Sequence, residues 1–131
     1  MKKTFLLTAA AAMLLLFTQC NTDNWEKSFD TSFYTSDEQG KIALYIDDMY
    51  KGDLPYMAAV PECGADYGDG LKPLTINLKP GKYTVVGKNA QGKVVSQSVM
   101  TINDDNVGST GTIGGTRVNR DDDCLAVGLF R

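Results

Sequence analysis

The 131-residue sequence contains no histidine. That excludes Ser-His and Cys-His nucleophile pairs and every zinc or haem site that depends on imidazole. Basic residues are the minority, 13 Lys+Arg against 16 Asp+Glu with a pI near 4.8, which argues against a phosphate-neutralising surface and against nucleic acid as a partner. No Ser-x-x-Lys pattern occurs after residue 19, and no glycine-rich turn joins a strand pattern to a helix pattern as a phosphate loop requires. Carboxylates cluster only in polar stretches, with no apolar setting to raise one pKa above its neighbour. The sequence therefore reads as non-enzymatic, with no catalytic residue and no cofactor. Long apolar runs are missing too. Phe5 to Phe17 would rise only about 20 Å as a helix, against roughly 30 Å of hydrocarbon.

What is present begins with an address. Lys2 and Lys3 precede that short apolar run, which makes it a secretory signal over residues 1–19 rather than a membrane span. The run ends at Leu16-Phe17-Thr18-Gln19-Cys20 and turns polar at once with Asn21-Thr22-Asp23-Asn24. This resembles the lipobox of bacterial lipoproteins, in which the cysteine after the cleavage point is acylated and becomes the first residue. The resemblance implies lipid on Cys20 and a membrane as partner. It places the chain in the cell envelope, anchored to the inner or outer bacterial membrane and facing the periplasm or the surface. Acyl chains contribute about 0.8 kcal/mol per buried methylene, so several on one cysteine anchor stably. The alternative is an ordinary secretory signal cut near Cys20, without lipid. Removing residues 1–19 leaves 112 residues with a net side-chain charge of −5 and all 13 glycines, a composition suited to turns and short strands.

With lipid on Cys20, Cys63 and Cys124 remain as an even pair in an oxidising compartment. A bridge between them closes a loop of about 60 residues, worth roughly 4 kcal/mol in the chain-entropy model. It requires Cα atoms within about 7 Å. The alternative is two buried thiols.

Residues 20–40 are polar and lack a clean period, and read as a tether that lifts the domain off the bilayer. Trp25, Phe29 and Phe33 are spaced by four, which suits either one or two helical turns or docking of the segment through its aromatics. From Lys41 the period becomes two. Ile42, Leu44 and Ile46 share one face, Met49 to Tyr56 forms a second extended run, and Leu74-Thr75-Ile76-Asn77-Leu78 alternates again. Lys79-Pro80-Gly81-Lys82 has the residues of a type II turn, with Gly81 at the positive-φ position and a return strand from Tyr83 to Gly87. Another strand is expected over Lys93 to Ile102. The glycine-rich stretch 103–123 reads as the least ordered, with a short strand at most around Ile113 and Val118. Leu125, Val127 and Leu129 close the chain in phase. Six or seven short strands separated by turns predict an all-β antiparallel β-sandwich over residues 41–131.

Two stretches carry a family resemblance. Leu78-Lys79-Pro80-Gly81-Lys82-Tyr83-Thr84-Val85 looks like the L-x-P-G-x-Y-x-V hairpin of transthyretin-like and PEGA-type domains, and Ile46 to Pro55 is similar to the PEGA segment that precedes it, with Asp48 in the place of a turn glycine. The resemblance implies a transthyretin-like or Ig-like sandwich and a non-catalytic stalk or binding module. Tyr83 is expected to cap the sandwich edge, its hydroxyl reaching backbone left unpaired at the corner.

The acidic groups Asp66 and Asp69, Asp104-Asp105, and Asp121-Asp122-Asp123 are candidates for calcium, since a Cys63–Cys124 bridge would draw Asp66, Asp69 and Asp121 to Asp123 together. Solvated loop charge is the alternative. Tyr45, Tyr50 and Tyr56 are candidate binding aromatics, for sugar rings or a protein partner, against ordinary cross-strand pairing. The expectation is thus a small, exported, lipid-anchored envelope protein with a structural or protein-binding role. A soluble periplasmic carbohydrate- or calcium-binding module is the alternative. Addition of a partner strand to an open sheet edge, sought within 103–123, is one mode of binding.

Overall fold

The computed structural model describes residues 27–38 and 40–131. The expected signal peptide, Cys20 and Trp25 lie outside the described residues. Among the described residues nine strands run in order: β1 (Phe29–Tyr34), β2 (Ile42–Ile46), β3 (Met49–Leu54), β4 (Leu74–Leu78), β5 (Gly81–Lys88), β6 (Val94–Ile102), β7 (Val107–Ile113), β8 (Gly115–Asp121) and β9 (Cys124–Phe130). They form a four-stranded sheet ordered β4-β1-β9-β8 and a five-stranded sheet ordered β3-β2-β5-β6-β7. The described residues are all-β, and their two sheets make a β-sandwich.

Alternation explains the core. Ile42, Leu44 and Ile46 of β2, Val85 of β5, Met100 and Ile102 of β6, and Leu125, Val127 and Leu129 of β9 point into one buried cluster. Each strand gives the core its odd or even residues and leaves the others to the outer faces.

The domain begins earlier than Lys41. β1 is not tether but an interior strand, antiparallel to β4 on one side and parallel to β9 on the other, with Phe29 and Phe33 at 0% exposure. A spacing of four is even, so it satisfies a strand's period of two as well as a helical turn. Thr31, β-branched and buried between the two rings, settles the period as two. The β1–β9 pair also adds one parallel ladder to an otherwise antiparallel architecture.

Two other expectations are corrected. Stretch 103–123 is not a loop with one short strand but two seven-residue strands, β7 and β8, at the edges of different sheets. Most of β7 is exposed, so its strand form comes from the ladder to β6 and leaves no apolar alternation to read. Secondly, β4 and β5 are not a hairpin: β4 pairs with β1, while β5 pairs with β2 and β6. Lys79-Pro80 arches from one sheet to the other, and Gly81 has φ +157°, far from the value near +80° of a type II turn. Tyr83 does act at this corner. Its hydroxyl donates to the Lys79 carbonyl at 2.6 Å and ties β5 back across the arch. Tyr83→Phe is expected to cost about 1 kcal/mol in urea unfolding, since it removes that bond and keeps the ring.

The β2–β3 connection is a two-residue turn in which Asp47 and Asp48 both adopt positive φ, 50° and 67°. This is the primed turn that fits strand twist, and it ordinarily recruits glycine. Asp47 compensates: its carboxylate accepts from Thr84 N and its own N–H donates to Thr84 O, both at 2.9 Å. No such bond belongs to the Asp48 side chain among the described residues. Asp48→Gly should therefore raise stability by roughly 0.5–1 kcal/mol, read as a higher urea midpoint with unchanged slope.

Candidate functional site

Residues 55–73 cross the outer face of the four-stranded sheet as a strap. At its start, Thr35 N donates to Pro55 O (2.9 Å) and Met57 N to Thr35 O (2.8 Å), which extends the C-terminal end of β1 by one parallel bridge to Tyr56. Its middle is fastened by the Cys63–Cys124 disulfide, with Cα atoms 5.8 Å apart across 61 residues of sequence. Since Cys124 pairs with Asp30 at the opposite end of β1, the strap spans that strand's length before returning to Leu74. Pro61 is buried, and beneath it Ala126, which points away from the core, is only 3% exposed. The strap thus explains why an outer-face residue of β9 is shielded from water.

Local chemistry shapes the strap. Asp66 accepts from Gly68 N (2.9 Å), Gly70 N donates to Tyr67 O (3.2 Å), and the Tyr67 hydroxyl accepts from Glu62 N (3.0 Å). Gly64 and Gly68 take φ +73° and +59°, which allows these tight reversals. The result is an open hollow of about 430 Å³ on the strap, walled by Tyr56, Ala59, Val60, Tyr67 and Leu71, with Glu62 at its border. Leu71 is 60%, Val60 37% and Tyr56 36% exposed. A second, polar recess separates the strap from β1 and β4 and is lined by Asp30, Ser32, Asp66, Lys72 and Thr75.

The aspartates expected to converge do not. Among the described residues, no three His, Cys, Asp or Glu side chains form a group able to hold a metal ion. The disulfide brings the backbones together, but the carboxylates are otherwise engaged. Asp66 is turned onto Gly68 N, and Asp123 lies 2.8 Å from Lys27 Nζ, which raises the lysine pKa through that hydrogen bond. Between them Arg120 donates to the carbonyls of Asp122 (3.0 Å) and Asp104 (2.6 Å), placing a guanidinium among the candidate ligands Asp121, Asp122 and Asp123. Asp69 sits on an exposed turn of the strap.

The three tyrosines have separate roles. Tyr45 and Tyr50 are a cross-strand pair, ring centroids 5.6 Å apart at 56°. Lys88 Nζ lies 4.2 Å from the Tyr45 centroid, so that face is taken by a cation and is not offered to a sugar ring. Tyr50 donates to Asp53 (3.1 Å), and this bond raises its pKa. Tyr56 belongs to the strap. It donates to Glu38 at 2.9 Å, which likewise raises its pKa and keeps the hydroxyl a neutral donor.

Sequence reasoning offered Tyr56 as a candidate and did not group it with Val60, Tyr67 and Leu71 on one surface. Their grouping depends on the path of the strap, and the only sequence signal was a set of apolar residues within a loop that shares a cysteine with the last strand. Comparison with protein-family models, with curated proteins and with solved structures finds no match to this chain.

Proposed function

We propose that the chain is a small exported protein of the bacterial cell envelope, anchored through lipid on Cys20, with a non-catalytic, protein-binding role. The observation that carries this reading is the cysteine pairing. Of three cysteines, two are joined between the strap and β9, and the one left over stands directly after a short apolar run. A disulfide linking a strap to the last strand suits an oxidising compartment, and a leftover thiol at that boundary suits acylation. The early start of β1 shortens the leash. Only residues 21–28 separate Cys20 from Phe29, a reach of at most about 32 Å, so the end of the sandwich that carries Phe29 and the disulfide is held near the bilayer. Binding rather than catalysis is supported by the exposed apolar hollow on the strap and by β7, an edge strand without charge or proline.

The test is the mature N-terminus. Mass spectrometry of the membrane fraction should find acyl mass on Cys20, and Cys20→Ser should move the protein into the soluble envelope fraction. An unmodified N-terminus at or beyond Cys20 overturns the anchor.

A further inference from the structure

Among the described residues the two sheets end in four edge strands, and three of these edges are guarded against further pairing. β3 carries a bulge at Lys51 and then Asp53, and β8 carries Arg117, Arg120 and Asp121. β4 is a five-residue strand bounded by Pro73 and Pro80. β7 has neither charge nor proline, and its bulge comes only at Thr112, near its far end. We propose that β7 is a self-association edge, to which β7 of a second copy of this chain adds antiparallel about a two-fold axis at Ser109. This rests on the protein-binding role proposed above, names its partner, and is independent of the lipid.

The ladder to β6 shows which groups the edge offers. Val107 to Gly111 stand opposite Ile102 to Ser98 without a break. Asn103 N donates to Asn106 O at 2.8 Å, which makes these two a bonded pair at the head of the ladder. Bonded and unbonded pairs alternate in an antiparallel ladder. Gly108 and Thr110 are therefore bonded to β6, whereas Val107, Ser109 and Gly111 turn their N–H and C=O groups outward. These outward groups are spaced evenly about Ser109. A second copy laid antiparallel, Ser109 against Ser109, meets every one of them. Two bonds form at the axis and two at each Val107–Gly111 pair.

Side chains and charge suit the same axis. Val107 faces the second copy's Gly111, and Thr110 faces its Gly108, so bulk on one strand meets a missing side chain on the other. Residues 20–131 carry a net side-chain charge of −5, so two copies repel unless their acidic groups are kept apart. The two-fold sets Asp105 against Ile113 and Asp104 against Gly114. The two Asp104 residues end about 34 Å apart, several times the Debye length of about 8 Å. Five residues of edge bury less than the roughly 1,200 Å² of a stable interface, so the pair is weak in solution and gains from confinement on a bilayer. Arg120 bonds Asp104 O and lies 5.3 Å from the Phe29 ring, which puts the head of β7 at the Phe29 end. The two-fold sends the Phe29 ends opposite ways, so a lipid-held pair lies with its strands along the bilayer.

The experiment uses the chain from residue 20 onward carrying Cys20→Ser. Sedimentation velocity from about 10 µM to about 1 mM should show monomer passing to dimer, and Ser109→Pro should weaken association at least about tenfold. Because Ser109 N–H is an outward group, proline there spares the bonds to β6, and a thermal melt confirms the fold. Added cysteines read the register without relying on that variant. Ser109→Cys brings two Cα atoms to about 5.5 Å across the axis, within disulfide reach, whereas the two copies of Thr112→Cys stand about 20 Å apart. In a glutathione buffer the first should cross-link at least about tenfold faster than the second. Peptide mapping without reductant confirms Cys63–Cys124 in both. A chain that stays monomeric at the highest concentration overturns the proposal. So does a dimer that Ser109→Pro leaves intact, or a Thr112→Cys chain that links as fast as Ser109→Cys. None of these results touches the anchored reading, whose test is the N-terminal mass.

Discussion

Replacing Cys63 and Cys124 together by Ala lowers stability by about 4 kcal/mol, because the bridge closes a loop across 61 residues and its loss returns that entropy to the unfolded chain. For a domain of this size the melting temperature should fall by roughly 15–25 °C. The double variant is the right comparison, since a single one leaves a free thiol able to mispair. The loss has a local signature too. With its middle unfastened, the strap keeps the Thr35 contacts and the Tyr56–Glu38 bond at its start, the packing of Pro61 and Ala126, and its return into β4. Glu-C protease should then cut after Glu62 faster in the native variant than in the bridged protein, while far-UV circular dichroism still reports the sandwich. An unchanged cleavage pattern would show that the packing of Pro61 and Ala126 suffices to hold the strap, and that the disulfide acts through the unfolded state alone.

The second large effect is expected at Gly114. This residue is the single-residue link between β7 and β8, where the chain leaves the edge of one sheet and enters the edge of the other. Its φ is +62°, and a Cβ there would collide with the carbonyl oxygens of Val95 in β6 and of Phe130 in β9, the latter at 2.6 Å. Both obstacles are backbone, one from each sheet, so neither can step aside without parting the layers. The left-handed conformation and the overpacking together put Gly114→Ala at about 3–4 kcal/mol. Two companions separate the causes. Gly92→Ala meets the same strain at φ +79° but has nothing within 4 Å of the added carbon, and should cost about 1 kcal/mol. Gly108→Ala has open space and no positive φ, and should change stability by less than about 0.5 kcal/mol. Urea unfolding of the three variants ranks them directly. A Gly114→Ala loss no larger than that of Gly92→Ala would mean that the pinch between the sheets relaxes freely.

The elements that could be read from sequence are those in which one strand's own pattern decides its place. Ile42, Leu44 and Ile46, or Leu125, Val127 and Leu129, alternate against polar or small neighbours, and a period of two admits only one buried face. Tyr83 was legible for a similar reason: its hydroxyl reaches four residues back, within the arch that its own segment forms. Cysteine count offered the disulfide only with Cys20 set aside for lipid, and beside the alternative of two buried thiols; the structure forms the bridge. The errors share a different cause. Pro80-Gly81 marks a change of direction, but whether the next strand pairs with the last or crosses to the other layer depends on where β1 and β2 already lie. β1 itself, read as tether, is polar on the face it gives to the strap side and becomes interior only because β4 and β9 flank it. The Asp66, Asp69 and Asp121 to Asp123 group was inferred from chain proximity, and proximity of backbones does not aim side chains. Lys27, Arg120 and the Gly68 amide drew those loops' polar groups elsewhere.

Sequence by itself determined that the described residues form an all-β fold and which face of β2 and β9 turns to the core, because periodicity is a property carried along the chain. The tertiary structure alone decided that the N-terminal strand is interior, that the Pro80-Gly81 arch joins two sheets, and that Tyr56, Val60, Tyr67 and Leu71 wall one hollow. These are relations between segments far apart in sequence, set by which ladders fill first and by where Cys124 pulls the strap, and no local pattern encodes them.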